Sequence, residues 1–239
     1  MRLDRRLVLL SQGSRTQVQK LIRSGAVSVN GAPVRDPAAS VSDGDLLAVG
    51  SAPLDNRLER HVLLYKPEGL LTAARDKKQE TVMDLLPQVY TSLGCMPVGR
   101  LDKDTTGVLL LTTDGELNHR LLAPGRHVDK IYLARLDKPL GQEAIEQFAA
   151  GIPLEDFRAA PALLELPEPT LGRVTLHEGK FHQVKRMFEA VGATVLRLHR
   201  EAFGPLRPDE GMQPGQWREL TTEEINSLRQ CAGMECRNE

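Results

Sequence analysis

Apolar side chains in the first fifty residues follow two helical repeats and then a strand-like alternation. The residues at helical spacing are Leu3, Leu7 and Leu10 in the first repeat and Val18, Leu21 and Ile22 in the second. Ser14 with Gln17 forms a capping box at the start of the second predicted helix, and Gly25 ends it. An alternating stretch then leads to Asn30 and Gly31, which predict a hairpin turn.

Beyond residue 60, short apolar strands and amphipathic helices follow each other without a regular βαβ alternation. Strands are predicted at 62–65, 108–113, 130–136, 173–178 and 193–200. Helices are predicted at 81–86, 116–122, 141–151 and 180–192. The strand VLLLTT is apolar throughout, as expected for a strand buried on both faces. The pattern indicates an α+β fold with a mainly antiparallel or mixed sheet.

The polar segment SAPLDNRLER, residues 51–60, has no apolar period and contains a proline. We therefore expect it to be a linker between a small α/β unit at 1–50 and a second domain at 61–230. Residues 231–239 are expected to form a C-terminal tail.

Composition describes a globular chain that can bury a core: of 239 residues, 41% are hydrophobic and 26% are charged. No apolar run reaches the roughly 18 to 20 residues that span a bilayer, and the N-terminus lacks the apolar stretch of a secretory signal. We expect a cytoplasmic protein without a membrane partner. Cys95, Cys231 and Cys236 lie in no metal-ligand spacing, so we expect free thiols and no metal site.

Charge is distributed unevenly, although the formal net charge is only -1 at pH 7. Residues 1–35 carry a net charge of +6, and residues 173–200 carry +4. Two basic regions on a neutral chain favour a polyanionic partner held at two places, because neutralised phosphates supply much of nucleic-acid affinity. Solvated helix faces are the alternative that charge alone leaves open.

The N-terminal stretch RLDRRLVLLSQGSRTQVQKLIRSGAVSVNG (2–31), followed by VSDGDLLAV (41–49), resembles the RNA-binding domain of ribosomal small-subunit protein four. The resemblance covers about residues 1–50 and implies that this unit binds RNA. The basic residues expected to contact RNA here are Arg5, Arg15, Lys20 and Arg23.

The densest chemical signal is VGRLDKDTTGVLLLTTDGELNHRL, residues 98–121. Asp102 lies between Arg100 and a turn that feeds the buried strand, and such a loop can hold a carboxylate rigidly at the edge of a core. An acid that merely caps local amides is the structural alternative. Asp104 and Asp114 are expected to be turn or helix-cap residues.

The same stretch resembles the signature of the RsuA family of ribosomal RNA pseudouridine synthases. Three further segments match the family in order: KPEG (66–69), DKIYLARL (129–136) and EGKFHQVKRMFEAVGATVLRLHRE (178–201). The resemblance implies that Asp102 is the catalytic aspartate, Tyr132 the active-site tyrosine and Lys185 the cation that opposes the aspartate. Arg186 is the alternative cation, because arginine makes the better fork for a carboxylate.

The implied reaction needs no cofactor, because it isomerises uridine without a redox step. The substrate base must leave its stack to reach Asp102, and the ring of Tyr132 is expected to pack on it. We expect phosphate contacts from Arg100, His182 and Arg200 and, in the basic helix, from Arg186 if Lys185 opposes Asp102. Phe181 and Phe188 are expected in the core.

Within the family, DTTG (104–107) and HREAFG (199–204) most resemble the branch that modifies one uridine of 16S ribosomal RNA. A uridine of 23S ribosomal RNA is the alternative substrate, and a non-catalytic RNA-binding ribosome-assembly factor is the alternative class. An Asp-dependent glycoside hydrolase would need a second carboxylate, and Asp104 lies too near the turn for that role. We expect a monomer that acts on 16S ribosomal RNA within a small-subunit assembly intermediate.

Overall fold

A computed structural model of the protein describes residues 1–126 and 128–236. Its α-helices are α1 (Leu3–Leu9), α2 (Arg15–Arg23), α3 (Gln88–Ser92), α4 (Gly115–Leu122), α5 (Gln142–Ala150), α6 (Gln183–Ala190) and α7 (Thr222–Cys231). Short 3-10 helices occupy Val82–Leu85 and Pro124–Arg126. The strands are β1 (Val27–Val29), β2 (Ala32–Val34), β3 (Leu47–Val49), β4 (Ala52–Leu54), β5 (His61–Lys66), β6 (Met96–Pro97), β7 (Thr105–Thr112), β8 (Lys130–Leu136), β9 (Leu163–Glu168), β10 (Leu171–Leu176), β11 (Val195–Phe203) and β12 (Trp217–Glu219).

The N-terminal unit packs α1 and α2 on a small antiparallel sheet with the strand order β2-β1-β3-β4. The predicted capping box is present: the Gln17 backbone N–H donates to the Ser14 side chain, and the Ser14 N–H donates back to the Gln17 side chain. Asn30 and Gly31 both have positive φ, at 52° and 80°, and turn β1 into β2. These local predictions are confirmed because capping and turn chemistry act within a few residues.

The expected linker at 51–60 is partly wrong, because its beginning forms β4 on β3. The three-residue strand Ala52–Leu54 is too short to show an apolar period. The rest of the segment is tied to the second domain: Arg60 Nη1 lies 2.6 Å from Asp55 Oδ2 and 3.1 Å from Glu219 Oε1.

The second sheet has eight strands in the order β12-β5-β7-β11-β8-β10-β9, with β6 paired to β7. Among the strands of the described residues, β7 and β11 pair in parallel and the other named pairs are antiparallel, as the α+β prediction requires. The apolar strand β7 is buried on both faces: Leu109 and Leu111 enter one core, while Val108 and Leu110 enter another.

Helices cover both faces of this sheet. Phe148 of α5 and Phe188 of α6 lie in the first core, whereas Leu117 of α4 and Leu228 of α7 lie in the second. Helix α7 was not predicted; it runs into the expected tail and buries Ala232 just beyond its end, while residues 237–239 lie outside the described residues. No helix within 1–126 or 128–236 is long and apolar enough to cross a membrane.

A glycine permits the parallel pairing at the centre of the sheet. Gly107 pairs with Arg200 across β7 and β11, and its φ is 112°. A Cβ atom at this position would lie 2.2 Å from the Arg200 carbonyl oxygen. A side chain of any size would therefore push β11 away from β7.

We predict that Gly107→Ala destabilises the protein far more than Gly94→Ala does. Gly94 also has positive φ, at 77°, but among the described residues, its chain neighbours apart, nothing lies within 4 Å of the added Cβ, so it measures backbone strain alone. That strain costs about 1–2 kcal/mol. Gly107→Ala should cost about 1–3 kcal/mol more, as overpacking does, in denaturant unfolding of the full chain. Equal losses for the two variants would contradict the close-approach argument.

Candidate active site

Asp102 opens a β-turn at the start of β7. The Thr105 backbone N–H donates to the Asp102 carbonyl at 3.1 Å, which closes the turn over residues 102–105. The preceding residue is clamped by the buried Thr72, whose hydroxyl donates to the Leu101 carbonyl at 2.7 Å and accepts from the Leu101 N–H at 3.2 Å. The backbone that carries the Asp102 carboxylate is therefore held on both sides.

Lys66, at the end of β5, holds the same turn from the interior. Its side chain is 0% exposed, and its Nζ donates to the carbonyls of Pro67 at 2.9 Å, Lys103 at 3.2 Å and Thr105 at 2.9 Å. Burial lowers the pKa of Lys66 to about 8, although the nearby Asp104 and Asp102 charges oppose that shift. No role for Lys66 was predicted from the sequence. The feature that could have indicated one is a lysine at the end of the mostly apolar strand β5.

Asp102 faces Lys185 on α6, with Lys185 Nζ 3.3 Å from Asp102 Oδ2. The same ammonium lies 2.7 Å from Asp104 Oδ1, so Asp104, which lies in the turn as predicted, also makes an ion pair that the sequence did not predict. Burial by itself lowers the pKa of Lys185, but the hydrogen bond to Asp104 and the charge of Asp102 raise it above the ordinary value. The Lys185 hydrogen bond also lowers the pKa of Asp104. Lys185 is thus a cation shared by two carboxylates.

Arg186 turns away from this cluster and pairs with Asp156. Adjacent residues on a helix point about 100° apart, so α6 presents only one of the two basic residues to Asp102. The structure places Lys185 there. His182, at the N-terminus of α6, contributes a second contact, with Nε2 3.6 Å from Asp102 Oδ1.

Tyr132, on β8, is buried beside Asp102. Together with Asp102, Thr105 and Leu198 it lines a small inner cavity of about 70 Å³. The Tyr132 ring therefore forms part of the wall of this cavity, where a planar base could pack against it.

A larger cleft of about 1090 Å³ opens outward from the same carboxylate. Its ionisable lining is predominantly basic: Arg100, Lys103, Lys130, His177, Lys180 and His182 against Asp102 and Glu178. Arg100 and His182 thus lie where phosphate contacts were expected. Asp102 lines both the cleft and the inner cavity. A long polyanion bound in the cleft would therefore meet the small cavity at this carboxylate.

Two predictions about this region are wrong. Arg200, expected to reach phosphates, is only 2% exposed; its Nε donates to the Val108 carbonyl at 2.7 Å and its guanidinium lies over the Phe203 ring. It is buried because it sits in the middle of β11, between two neighbouring strands. Phe181, expected in the core, is 68% exposed on the cleft wall. Phe188 is buried as predicted.

The four N-terminal residues expected to contact RNA all face solvent: Arg5, Arg15, Lys20 and Arg23. Arg15 also approaches the buried Asp4 carboxylate, at 3.9 Å. Their roles in RNA binding stay predictions.

Fold and site together describe an enzyme for a polyanionic substrate: a rigidly held acid, opposed by a lysine, between a basic cleft and an inner cavity with an aromatic wall. Residues 60–190 match the family model described as RNA pseudouridylate synthase, and residues 1–47 match that of the S4 domain.

Curated relatives extend over nearly the whole chain. The ribosomal small subunit pseudouridine synthase A of Pseudomonas aeruginosa is 42% identical, with 95% of this chain and 100% of that protein covered. An uncharacterized RNA pseudouridine synthase of Bacillus subtilis is 39% identical, over 96% of this chain and 99% of that protein. A solved structure described as a pseudouridylate synthase is 35% identical, with a TM-score of 0.67 over 95% of this chain and 99% of the other. The chain therefore belongs to the RNA pseudouridylate synthase family, in its RsuA type, and is an RNA uridine isomerase.

We predict that Lys66→Met lowers kcat while leaving KM nearly unchanged. The substitution removes the ammonium donor from three carbonyls around the turn, of which the Lys103 carbonyl keeps the Gly69 N–H at 2.8 Å. A buried acceptor left without a donor costs about 1–3 kcal/mol. A displacement of Asp102 by about 1 Å can reduce turnover roughly 100-fold. Steady-state kinetics and thermal unfolding would measure both effects, with the exposed Lys138→Met as the matched control. Full turnover with an unchanged Tm in Lys66→Met would contradict this role.

Proposed function

We propose that the protein converts a uridine of 16S ribosomal RNA to pseudouridine, with Asp102 as the catalytic carboxylate. The observation that carries the proposal is the Asp102–Lys185 pair, 3.3 Å apart, between a basic cleft and the cavity beside Tyr132. The Pseudomonas relative is named for the ribosomal small subunit, and its match covers nearly the whole of both chains, which supports the 16S assignment.

The reaction is an isomerisation in which no atom is gained or lost. The bond between ribose C1′ and uracil N1 breaks, the uracil turns, and uracil C5 forms a new bond to C1′. The proton on C5 leaves and N1 gains one, so the product has the composition of uridine. Asp102 serves this sequence either by attacking the substrate as a nucleophile or by removing a ribose proton.

Either role requires an ionised carboxylate, and the ammonium of Lys185 supplies the opposing charge. Lys185 is anchored by its shorter contact to Asp104, 2.7 Å against 3.3 Å to Asp102. Asp104 therefore acts as a positioning residue that holds the ammonium in place, and Asp102 is the acid that meets the substrate.

Tyr132 is suited to hold the uracil while it is detached from the sugar. Its buried ring forms part of the inner cavity wall beside Asp102, and a planar base stacks well on an aromatic face. Its hydroxyl is our candidate acceptor for the proton that leaves C5. The target uridine must leave its stack to enter this cavity, and the basic cleft would hold the flanking phosphates.

The wider setting is part of the same proposal. The protein would act as a cytoplasmic monomer, without a cofactor, on 16S ribosomal RNA within a small-subunit assembly intermediate. The N-terminal unit would hold the RNA at a second place through Arg5, Arg15, Lys20 and Arg23, while Arg100 and His182, with Arg186 on α6, would contact it at the catalytic domain.

We predict that Asp102→Asn abolishes product formation but keeps the fold and RNA binding. The amide is nearly isosteric with the carboxylate but has neither its negative charge nor its basicity. Pseudouridine mapping in cells that lack the protein should show one missing 16S site, which wild-type protein restores and Asp102→Asn does not.

Asp104→Asn is the matched control, because it removes a carboxylate from the same turn and the same lysine. It should retain measurable turnover, since Lys185 keeps its contact to Asp102. Restoration of the site by Asp102→Asn would remove that residue from the catalytic role, and a missing site in 23S instead of 16S ribosomal RNA would reject the proposed substrate.

We predict that Lys20→Gln combined with Arg23→Gln weakens RNA binding and reduces its salt dependence. Each lost phosphate contact should lower the slope of log affinity against log salt by about 0.7 on single strands or 0.9 on duplex. The control is Arg135→Gln with Lys138→Gln, two exposed cations at the end of β8 opposite the cleft-lining Lys130. If both double variants change the slope equally in binding titrations, the N-terminal unit has no special role.

A further inference from the structure

An aromatic pair stands on the wall of the cleft beside the catalytic turn. The rings of Phe181 and His182 stack with their centroids 3.8 Å apart and their planes inclined by 18°. His182 contacts Asp102, whereas Phe181 lines the larger cleft, is not among the described residues that line the inner cavity, and is 68% exposed. Neither the Phe181 ring nor its stacking on His182 has a role in the proposed reaction.

The segment that carries the pair is held in place at both ends. The buried Gln183 accepts from the Lys180 N–H at 3.0 Å and donates from its Nε2 to Glu178 Oε1 at 2.5 Å. Glu178 in turn accepts from the Ala160 N–H at 2.9 Å. An exposed phenylalanine is thus presented on an ordered support instead of on a free loop.

The backbone of His182 is also unusual, with a φ of 49° in the left-handed region. Non-glycine residues in that region are strained and tend to occur where function constrains the chain. At this position His182 Nε2 lies 3.6 Å from Asp102 Oδ1, and the neighbouring Phe181 is exposed on the cleft wall. The unfavourable backbone and the exposed aromatic side chain therefore belong to one feature.

We propose that Phe181 and His182 form a stacking platform for the RNA base next to the target uridine. The inference rests on the proposed function. When the target base leaves its stack, its neighbour loses a stacking partner, and an aromatic ring can replace it. The target base itself goes to the cavity beside Asp102 and Tyr132, so the more distant ring of Phe181 meets a neighbouring nucleotide.

The surroundings of the platform favour nucleic acid as the occupant. Arg100, Lys103 and Lys180 line the same cleft and can neutralise the phosphates on either side of a stacked base. Unpaired RNA bases are commonly bound by aromatic rings combined with cations. A phosphate by itself would contact the cations but not the exposed aromatic ring of Phe181.

The test uses the full-length protein and an RNA fragment that surrounds the uridine it modifies in ribosomal RNA. 2-Aminopurine is placed in separate fragments at the 5′ neighbour, at the 3′ neighbour and at the target position. We expect the wild-type protein to quench the fluorescence of the label at one neighbouring position. Phe181→Leu should lose that quenching and bind the RNA about 5- to 150-fold more weakly. Phe181→Tyr should show wild-type quenching and wild-type affinity. Leu163→Ala, which alters an exposed apolar residue on β9, should behave as wild type.

Two results would overturn the platform while leaving the proposed function intact. One is a Phe181→Leu variant that binds and quenches like the wild-type protein. The other is a Phe181-dependent signal only from the label at the target position, which would place the ring on the target base. A wild-type protein that forms no pseudouridine in ribosomal RNA would instead overturn the proposed function, and the platform with it.

Discussion

The parallel contact between β7 and β11 at Gly107 is the constraint on which the active site depends. It requires a residue without a side chain, because the Arg200 backbone occupies the space that a Cβ would need. β7 begins at the turn that carries Asp102, and β11 follows α6, which carries Lys185. Bringing the two strands together therefore also brings the acid on one loop to the cation on one helix.

Around that contact, both burial and ion pairing determine where the charged side chains lie. Lys66 is enclosed and donates to two carbonyls of the turn, those of Lys103 and Thr105, and to the Pro67 carbonyl, which fixes the backbone beneath Asp102. Lys185 is shared between two carboxylates, and its shorter contact is to Asp104, so its ammonium is held beside Asp102 by a second acid. The turn thus has a rigid main chain, and the ammonium that opposes the Asp102 carboxylate is held in place by Asp104. Such an arrangement suits catalysis that relies on preorganised charges.

The N-terminal unit is attached to the catalytic domain by specific contacts as well as by the chain. Ser11 Oγ donates to Ser92 Oγ at 2.9 Å, and the side chains of Arg57 and Arg60 both pair with Glu219. Tyr90 donates to the same glutamate at 2.9 Å, and burial with this hydrogen bond raises the pKa of Tyr90. These contacts fix the basic surface of the N-terminal unit relative to the basic cleft of the second domain.

Local chemistry made part of the structure predictable from the sequence: the Ser14 capping box, the turn at Asn30 and the doubly buried β7. These features depend on neighbouring residues or on apolar periodicity, and both are visible in one dimension. Resemblance to the family motifs, and not local chemistry, pointed to Asp102 and to Lys185, with Arg186 as the alternative. Only the tertiary structure decided that Lys185 faces Asp102 while Arg186 turns away, that Lys66 donates to distant carbonyls, that Arg200 is buried and that Phe181 is exposed. Each depends on which strand or helix from a distant part of the chain packs against the residue, and no local pattern contains that information.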